Sequence, residues 1–135
     1  KAVPTRDVAV RLPIEWRGSR SWTSRLGQSV FVQGMAIKAK RELSKAFVAT
    51  PASFVGHLLR GSSFTIERVL SALRALPPGT SELMCHPGYE DAELRSFTAY
   101  TSERIHELAA LTDPRMRDGL AILGIEPGSW QDLYR

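Results

Sequence analysis

The sequence predicts an α/β fold of short parallel strands alternating with helices, and three observations carry that expectation. Short apolar runs such as Val8 to Leu12 and Ser81 to Cys85 stop abruptly, at Pro13 and at His86-Pro87-Gly88, as buried strands do. Between them apolar residues recur at helical spacing, most clearly at Ile66, Val69, Leu70, Leu73 and Leu76. Strands and helices then take turns along the chain, the order that goes with crossover connections and parallel pairing. So few and such short strands make a thin sheet, so residues 1–135 are expected to form a single partial domain, half of a larger barrel-like one.

Each element has its own local reason. Val8 to Leu12 is β-branched and closed by Pro13, which cannot continue a ladder. Glu15 to Gly27 mixes Gly, Ser, Arg, Trp16 and Trp22 without a period and is expected to be loop. Val30 to Ala46 is expected to be a helix, with Val30, Phe31, Gly34, Ile37 and Leu43 inward and Lys38, Lys40, Arg41, Glu42 and Lys45 outward. Phe47 to Pro51 is a short extended piece, and Ala52 to Ser63 is irregular or a short helical turn. The helix beginning near Ile66 ends at Pro77-Pro78-Gly79.

Ser81 to Cys85 is then a strand, and Glu90 to Thr98 a polar loop. Ser102 to Leu111 is a helix with Ile105, Leu108, Ala109 and Leu111 facing inward and Glu103 in its first turn. Asp113 caps a further helix with Pro114 at its first position and Gly124 just past its end. Ile125 is briefly extended, and Ser129 to Leu133 forms a last turn.

Composition narrows the function classes. With 43% hydrophobic and 24% charged residues the chain can bury a core, which argues against a disordered tail. No apolar run reaches the ~18 residues of a membrane span. Lys1 to Asp7 lacks both a Met and the apolar centre of a signal peptide, so the chain is expected to be a fragment. Cys85 is the single cysteine, which excludes an internal disulfide and a cysteine-built zinc cage and fits a reducing cytoplasm, the expected location. Residues 1–74 hold 13 Lys and Arg against 4 Asp and Glu, whereas residues 75–135 hold 5 against 10. A basic first half could meet an anionic polymer. No pattern of a nucleic-acid module accompanies it, so unevenly solvated faces explain it better and nucleic acid is not the expected partner.

The tract Thr80-Ser-Glu-Leu-Met-Cys-His-Pro-Gly-Tyr89, following Leu-Pro-Pro-Gly, closely resembles the last conserved block of the YdjC/ChbG-like carbohydrate deacetylases. Tyr100-Thr-Ser-Glu-Arg-Ile-His-Glu-Leu108 is similar to that family's Tyr-Thr-x-x-Arg-x-x-Glu-Leu stretch. A Leu-Thr-Asp-Pro turn at Leu111 to Pro114, a Leu-Gly-Ile ending at Leu123 to Ile125, and Ala9-Val-Arg-Leu-Pro13 complete the order. The chain looks like the C-terminal half of such a protein, most similar to hopanoid-biosynthesis-associated members. The resemblance implies the C-terminal part of a distorted (β/α) barrel and an enzyme that removes acetyl groups from N-acetylated sugars. It also implies a homodimer and a divalent metal, Mg or Zn, held by an Asp and two His of the first half. None of those metal motifs lies in this sequence, where His57, His86 and His106 are the only histidines. The fragment alone is therefore expected to be inactive. One departure is visible: the family's Thr-Pro-Asp-x-Phe-x-Gly tract reads Thr50-Pro-Ala-Ser-Phe-Val-Gly56, with Ala52 at the acidic position.

Metal-assisted amide hydrolysis needs an activated water, a base, and an acid for the leaving amine. His86 suits the acid or oxyanion-stabilising role, because α/β folds place ligands at strand C-termini and imidazole titrates near neutrality. Pro87 and Gly88 are expected to fix its turn and, with Arg11, to line the substrate pocket. Each has a plainer reading: His86 bonded to a backbone carbonyl, Arg11 in an internal ion pair, and Glu82 as a structural partner. His106, on a helix with Arg104 and Glu107, is expected at the surface, and His57 packed or partly exposed. Cys85 is expected to be buried on the strand face opposite His86. Trp16 and Trp22 could stack on a sugar or pack on the rest of the domain. A basic binding module for nucleic acid or another anionic polymer, and a non-catalytic structural fragment, stand as alternatives to the enzyme.

Overall fold

The computed structural model describes residues 9–14, 26–46, 48–57 and 59–134. The chain divides into two compact units: 1–55 with 76–83 and 127–135, and 56–75 with 84–126.

The first unit contains α1 (Leu26–Lys45), β1 (Ser53–Val55), β2 (Ser81–Leu83) and a closing 3-10 turn (Trp130–Tyr134). β1 and β2 pair in parallel, with Ser53 opposite Ser81, Phe54 opposite Glu82 and Val55 opposite Leu83. The Ala52 amide extends the ladder by donating to the Thr80 carbonyl at 2.8 Å. Phe54 and Val55 are buried at 2% and 1% exposure, and burying such side chains stabilises a fold by about 2 kcal/mol each. Gly79, after Pro77-Pro78, takes a φ of 121°, the left-handed region that glycine adopts without strain, and so turns the chain into β2.

The second unit holds a 3-10 turn (Gly61–Ser63), α2 (Ile66–Arg74), α3 (Ala92–Phe97), α4 (Ser102–Thr112) and α5 (Pro114–Ile122). Thr65 caps α2 by accepting the Arg68 amide at 3.3 Å, and Ile66, Val69, Ala72 and Leu73 form its buried stripe. α2 and α4 both pack on α5, which contributes Met116, and α4 also meets the Gly61–Ser63 turn. Gly119 of α5 lets Leu70 of α2 come close, since a Cβ there would stand 2.3 Å from the Leu70 Cδ1. Asp113 caps α5 through the Arg115 amide at 2.9 Å with Pro114 at the start, and Gly124 follows at a φ of 66°, as the sequence predicts.

The expected mixture of helices and parallel strands is present, with several corrections in detail. Among the described residues, Val8 to Leu12 and Phe47 to Pro51 meet in a parallel bridge between Ala9 and Ala49, with Val8 and Phe47 outside the described residues. The paired strand lies further along, at Ser53–Val55, within the tract expected to be irregular. Pro51 has no amide for a ladder, whereas Ser53-Phe-Val does. The expected loop Glu15 to Gly27, including Trp16 and Trp22, lies outside the described residues as far as residue 25, after which α1 has begun.

On α1, Ile37 is 59% exposed and Gly34 is exposed, while Ala36 is buried. Lysines and arginines interleave with the apolar residues there, so the pattern defines no face. The side chains of Val30 and Phe31 lie outside the described ones. α3 occupies the expected polar loop. Asp91 caps it by accepting the Leu94 amide at 2.7 Å, and no α3 residue is buried, so there was no apolar period to read. On α4, Ile105 is 43% exposed and Ala109 exposed, while Glu107 and Ala110 are buried. That helix faces backbone amides as well as side chains, and a carboxylate satisfies them where an apolar residue would not.

Candidate functional site

His86 follows β2 in the chain, and its surroundings are built by α4, the Gly61 turn and Tyr100. Glu107, fully buried on α4, is the centre. Its Oε2 accepts the His86 backbone amide at 2.5 Å, and its Oε1 accepts the Gly61 amide at 3.1 Å. The Tyr100 hydroxyl also donates to Oε1. One carboxylate thus fastens the segment carrying His86 and the Gly61 turn to α4. Gly61 sits at a φ of 57°, and a Cβ there would stand 2.6 Å from the Glu103 Cγ, so glycine is what lets the turn approach α4.

The electrostatics follow from these bonds. Burial pushes the Glu107 carboxyl up, but Tyr100, the His86 and Gly61 amides and the nearby His86 ring outweigh it and hold the group below the usual carboxylate range. The Tyr100 hydroxyl is pushed up, first by burial and then by the carboxylate it donates to. The Tyr100 ring takes the Arg60 guanidinium at 5.2 Å and the Arg104 guanidinium at 5.7 Å from its centroid, both within cation–π range. Arg104 in turn donates through Nε to the Tyr100 carbonyl at 3.0 Å and through Nη1 to the His86 carbonyl at 3.4 Å.

The His86 side chain is 37% exposed, yet its Nδ1 is buried and makes no hydrogen bond among the described residues. Glu107 Oε2 lies 3.9 Å from that nitrogen, and the ring meets Tyr100 edge to face at 5.9 Å. The exposed part of the side chain therefore excludes Nδ1. A backbone-carbonyl partner for the ring, the plainer reading of His86, is not what the geometry shows.

Gly88 does not adopt the left-handed region, so its lack of a side chain is not what fixes the turn. The turn is held instead by Glu107 on the His86 amide and by the Gly88 amide on the Arg104 carbonyl at 3.4 Å. Beyond Gly88 opens a shallow cleft of about 310 Å³, bordered by the exposed rings of Tyr89 and Phe97 with Asp91, Glu93 and Arg104. Pro87 is exposed beside it in the chain.

In the other unit, Arg11 forms an ion pair with Glu82, the internal pairing weighed for it, while its side chain stays 51% exposed. Glu82 is buried, and burial raises its carboxyl, with Arg11 offsetting only part of the rise. His106 is at the surface as expected, with Nδ1 placed 2.8 Å from the Ser102 carbonyl. His57 is exposed, and Cys85 is half-buried rather than buried. Ala52 is exposed just before β1. Among the described residues no three His, Cys, Asp or Glu side chains gather into a group able to hold a metal ion, so these residues do not provide a metal's ligand set.

Sequence reasoning missed Glu107, Tyr100 and Arg104 as parts of this cluster. Their spacing of four and then three residues was a usable signal, because it puts the Arg and Glu on one side of α4, above Tyr100.

Several known proteins are similar to this chain. A carbohydrate deacetylase of Geobacillus stearothermophilus is 36% identical over 76 residues, covering 56% of this chain and 31% of that protein. A chitooligosaccharide deacetylase of Salmonella newport (strain SL254) is 36% identical over 66 residues, covering 49% of this chain and 26% of that protein. The chain thus spans less than a third of the length of these curated relatives. A crystal structure described as a cellobiose-phosphate cleavage protein of Enterococcus faecalis V583 superposes with a TM-score of 0.60 at 20% identity, over 82% of this chain and 40% of that one, which speaks for the fold. The profile of the YdjC-like protein family matches residues 2–121, and the chain belongs to that family.

Proposed function

We propose that this chain is the C-terminal part of a metal-dependent carbohydrate N-deacetylase with a distorted (β/α) barrel. The substrate is an N-acetylated sugar; the family resemblance supports a homodimer, and the single cysteine, Cys85, fits a cytoplasmic location. The observation that carries the reading is His86: it follows a parallel strand, its backbone is locked by a buried carboxylate, and its ring remains partly open. A proton-transfer group needs this combination of fixed position and access.

His86 assists proton transfer to the leaving amine. Pro87 and Gly88 border the substrate, where the cleft beside Gly88 offers rings for stacking on a sugar and carboxylates for its hydroxyls. Arg11 is carried as a further sugar contact, on the exposed part of a side chain that Glu82 already holds. A divalent metal, Mg or Zn, would supply the activated water in the complete enzyme. Following the family resemblance, its ligands are not in this chain.

The names of the relatives support both the substrate class and deacetylation, and the family match supports the kinship. Deacetylation of N-acetylated oligosaccharides by the full-length protein and by its His86→Ala variant tests the reading. Undiminished activity in the variant would remove His86 from the mechanism.

A further inference from the structure

We infer that Glu107 fixes the tautomer of His86, keeping the neutral ring protonated at Nδ1 and leaving the lone pair on Nε2. The two oxygens of the carboxylate are not equivalent. Oε1 is taken by the Gly61 amide and the Tyr100 hydroxyl, whereas Oε2 holds the His86 amide and has capacity to spare. That oxygen lies 3.9 Å from the His86 Nδ1. Nδ1 is buried and has no other hydrogen-bond partner among the described residues.

A neutral imidazole carries one N–H, and the surroundings of its two nitrogens decide which. With a proton on Nδ1, the positive end of the N–H dipole faces a carboxylate. With the proton on Nε2, a lone pair faces that same negative charge, and no water intervenes at a buried atom to weaken the repulsion. The carboxylate also holds the His86 amide, which keeps the backbone of that residue beside the charge.

Glu107 is therefore a positioning residue, acting through His86 on whatever meets Nε2. The use of this in deacetylation rests on the functional reading above, but the tautomer itself does not.

The test is the long-range ¹H–¹⁵N correlation pattern of the three histidine rings in ¹⁵N-labelled full-length protein, with His57 and His106 assigned by substitution. Recorded at a pH alkaline enough for neutral imidazole, the expected wild-type result is Nδ1 protonated over Nε2 by about tenfold or more. Glu107→Gln keeps an acceptor and the shape but removes the charge, and with it the repulsion that disfavours a lone pair on Nδ1. It is expected to move His86 toward the Nε2–H form. Tyr100→Phe leaves the carboxylate in place and is expected to leave the tautomer as in the wild type. A wild-type His86 that is mainly Nε2–H, or a ring pattern unmoved in Glu107→Gln, overturns the inference. Should Glu107→Gln fail to fold, the wild-type pattern alone decides. Absence of deacetylase activity would contradict the functional reading and leave these ring patterns to be judged on their own.

Discussion

Glu107 takes the backbone amide of His86 at 2.5 Å while its Oε2 stands 3.9 Å from the same residue's Nδ1, so one buried carboxylate holds the main chain of the candidate catalytic residue and places a charge beside its ring. Placing a charge in an interior is costly unless hydrogen bonds satisfy it. Here Tyr100, Gly61 and His86 all do. The stability of this unit and the geometry of His86 are consequently coupled.

Removing that carboxylate should be expensive. Glu107→Ala leaves two backbone amides and a hydroxyl without their acceptor, at about 1–3 kcal/mol for each that stays buried. A loss of about 3 kcal/mol or more in chemical denaturation is expected, with Glu107→Gln losing clearly less. Equal losses for the two would show that the acceptor geometry is not what matters.

The same group sets an acid limit. Its carboxyl is lowered in the folded protein from an ordinary value of 4.5, so the folded state binds its proton more weakly than the unfolded state does. Its contribution to stability is therefore complete above about pH 4.5 and is lost as pH falls through the lower folded value. Denaturation midpoints of wild type and Glu107→Gln should converge as pH falls below that point.

Glu82 runs the other way. Burial raises its carboxyl above 4.5 despite Arg11, so ionisation opposes folding as pH rises from 4.5 through the folded value. Arg11 is 51% exposed and can rehydrate if its partner is neutralised. Glu82→Gln is expected to be at least as stable as wild type at pH 7, with the difference vanishing below about pH 4.5. A large loss at pH 7 would mean that the ion pair dominates.

How much of this was legible in the sequence varied with the physics of each element. α2 and α5 carry their signals locally, in the Ile66-Val69-Leu73 stripe and in the Asp113-Pro114 start with Gly124 at the end, and both formed as expected. α3 has a cap at Asp91 but no buried residue, so hydrophobic periodicity was silent. His86 stood out through its position after a strand. Glu107 did not, because a Glu on a helix ordinarily faces water, and only the tertiary approach of the Gly61 and His86 amides makes it a buried anchor. The basic first half gave no such constellation, since its Trp16 and Trp22 loop lies outside the described residues.

Gly56 offers a backbone test of the family tract. Its φ is 127°, and an added Cβ would stand 2.2 Å from the Met84 carbonyl oxygen, a main-chain atom on the segment leading to His86. Gly56→Ala should destabilise by on the order of 2 kcal/mol or more, from strain and collision together. In the full-length enzyme it should also lower activity. A stable variant with full activity would show that the approach of Gly56 to Met84 is not needed.

The proposed proton transfer by His86 during deacetylation is tested most directly by kcat/KM of the metal-loaded full-length protein on an N-acetylated oligosaccharide, wild type against His86→Ala. Loss of positioned proton transfer predicts a fall of about 100-fold or more, carried by kcat, with the variant still folded by circular dichroism. A folded variant with kcat within about twofold of wild type would contradict the account.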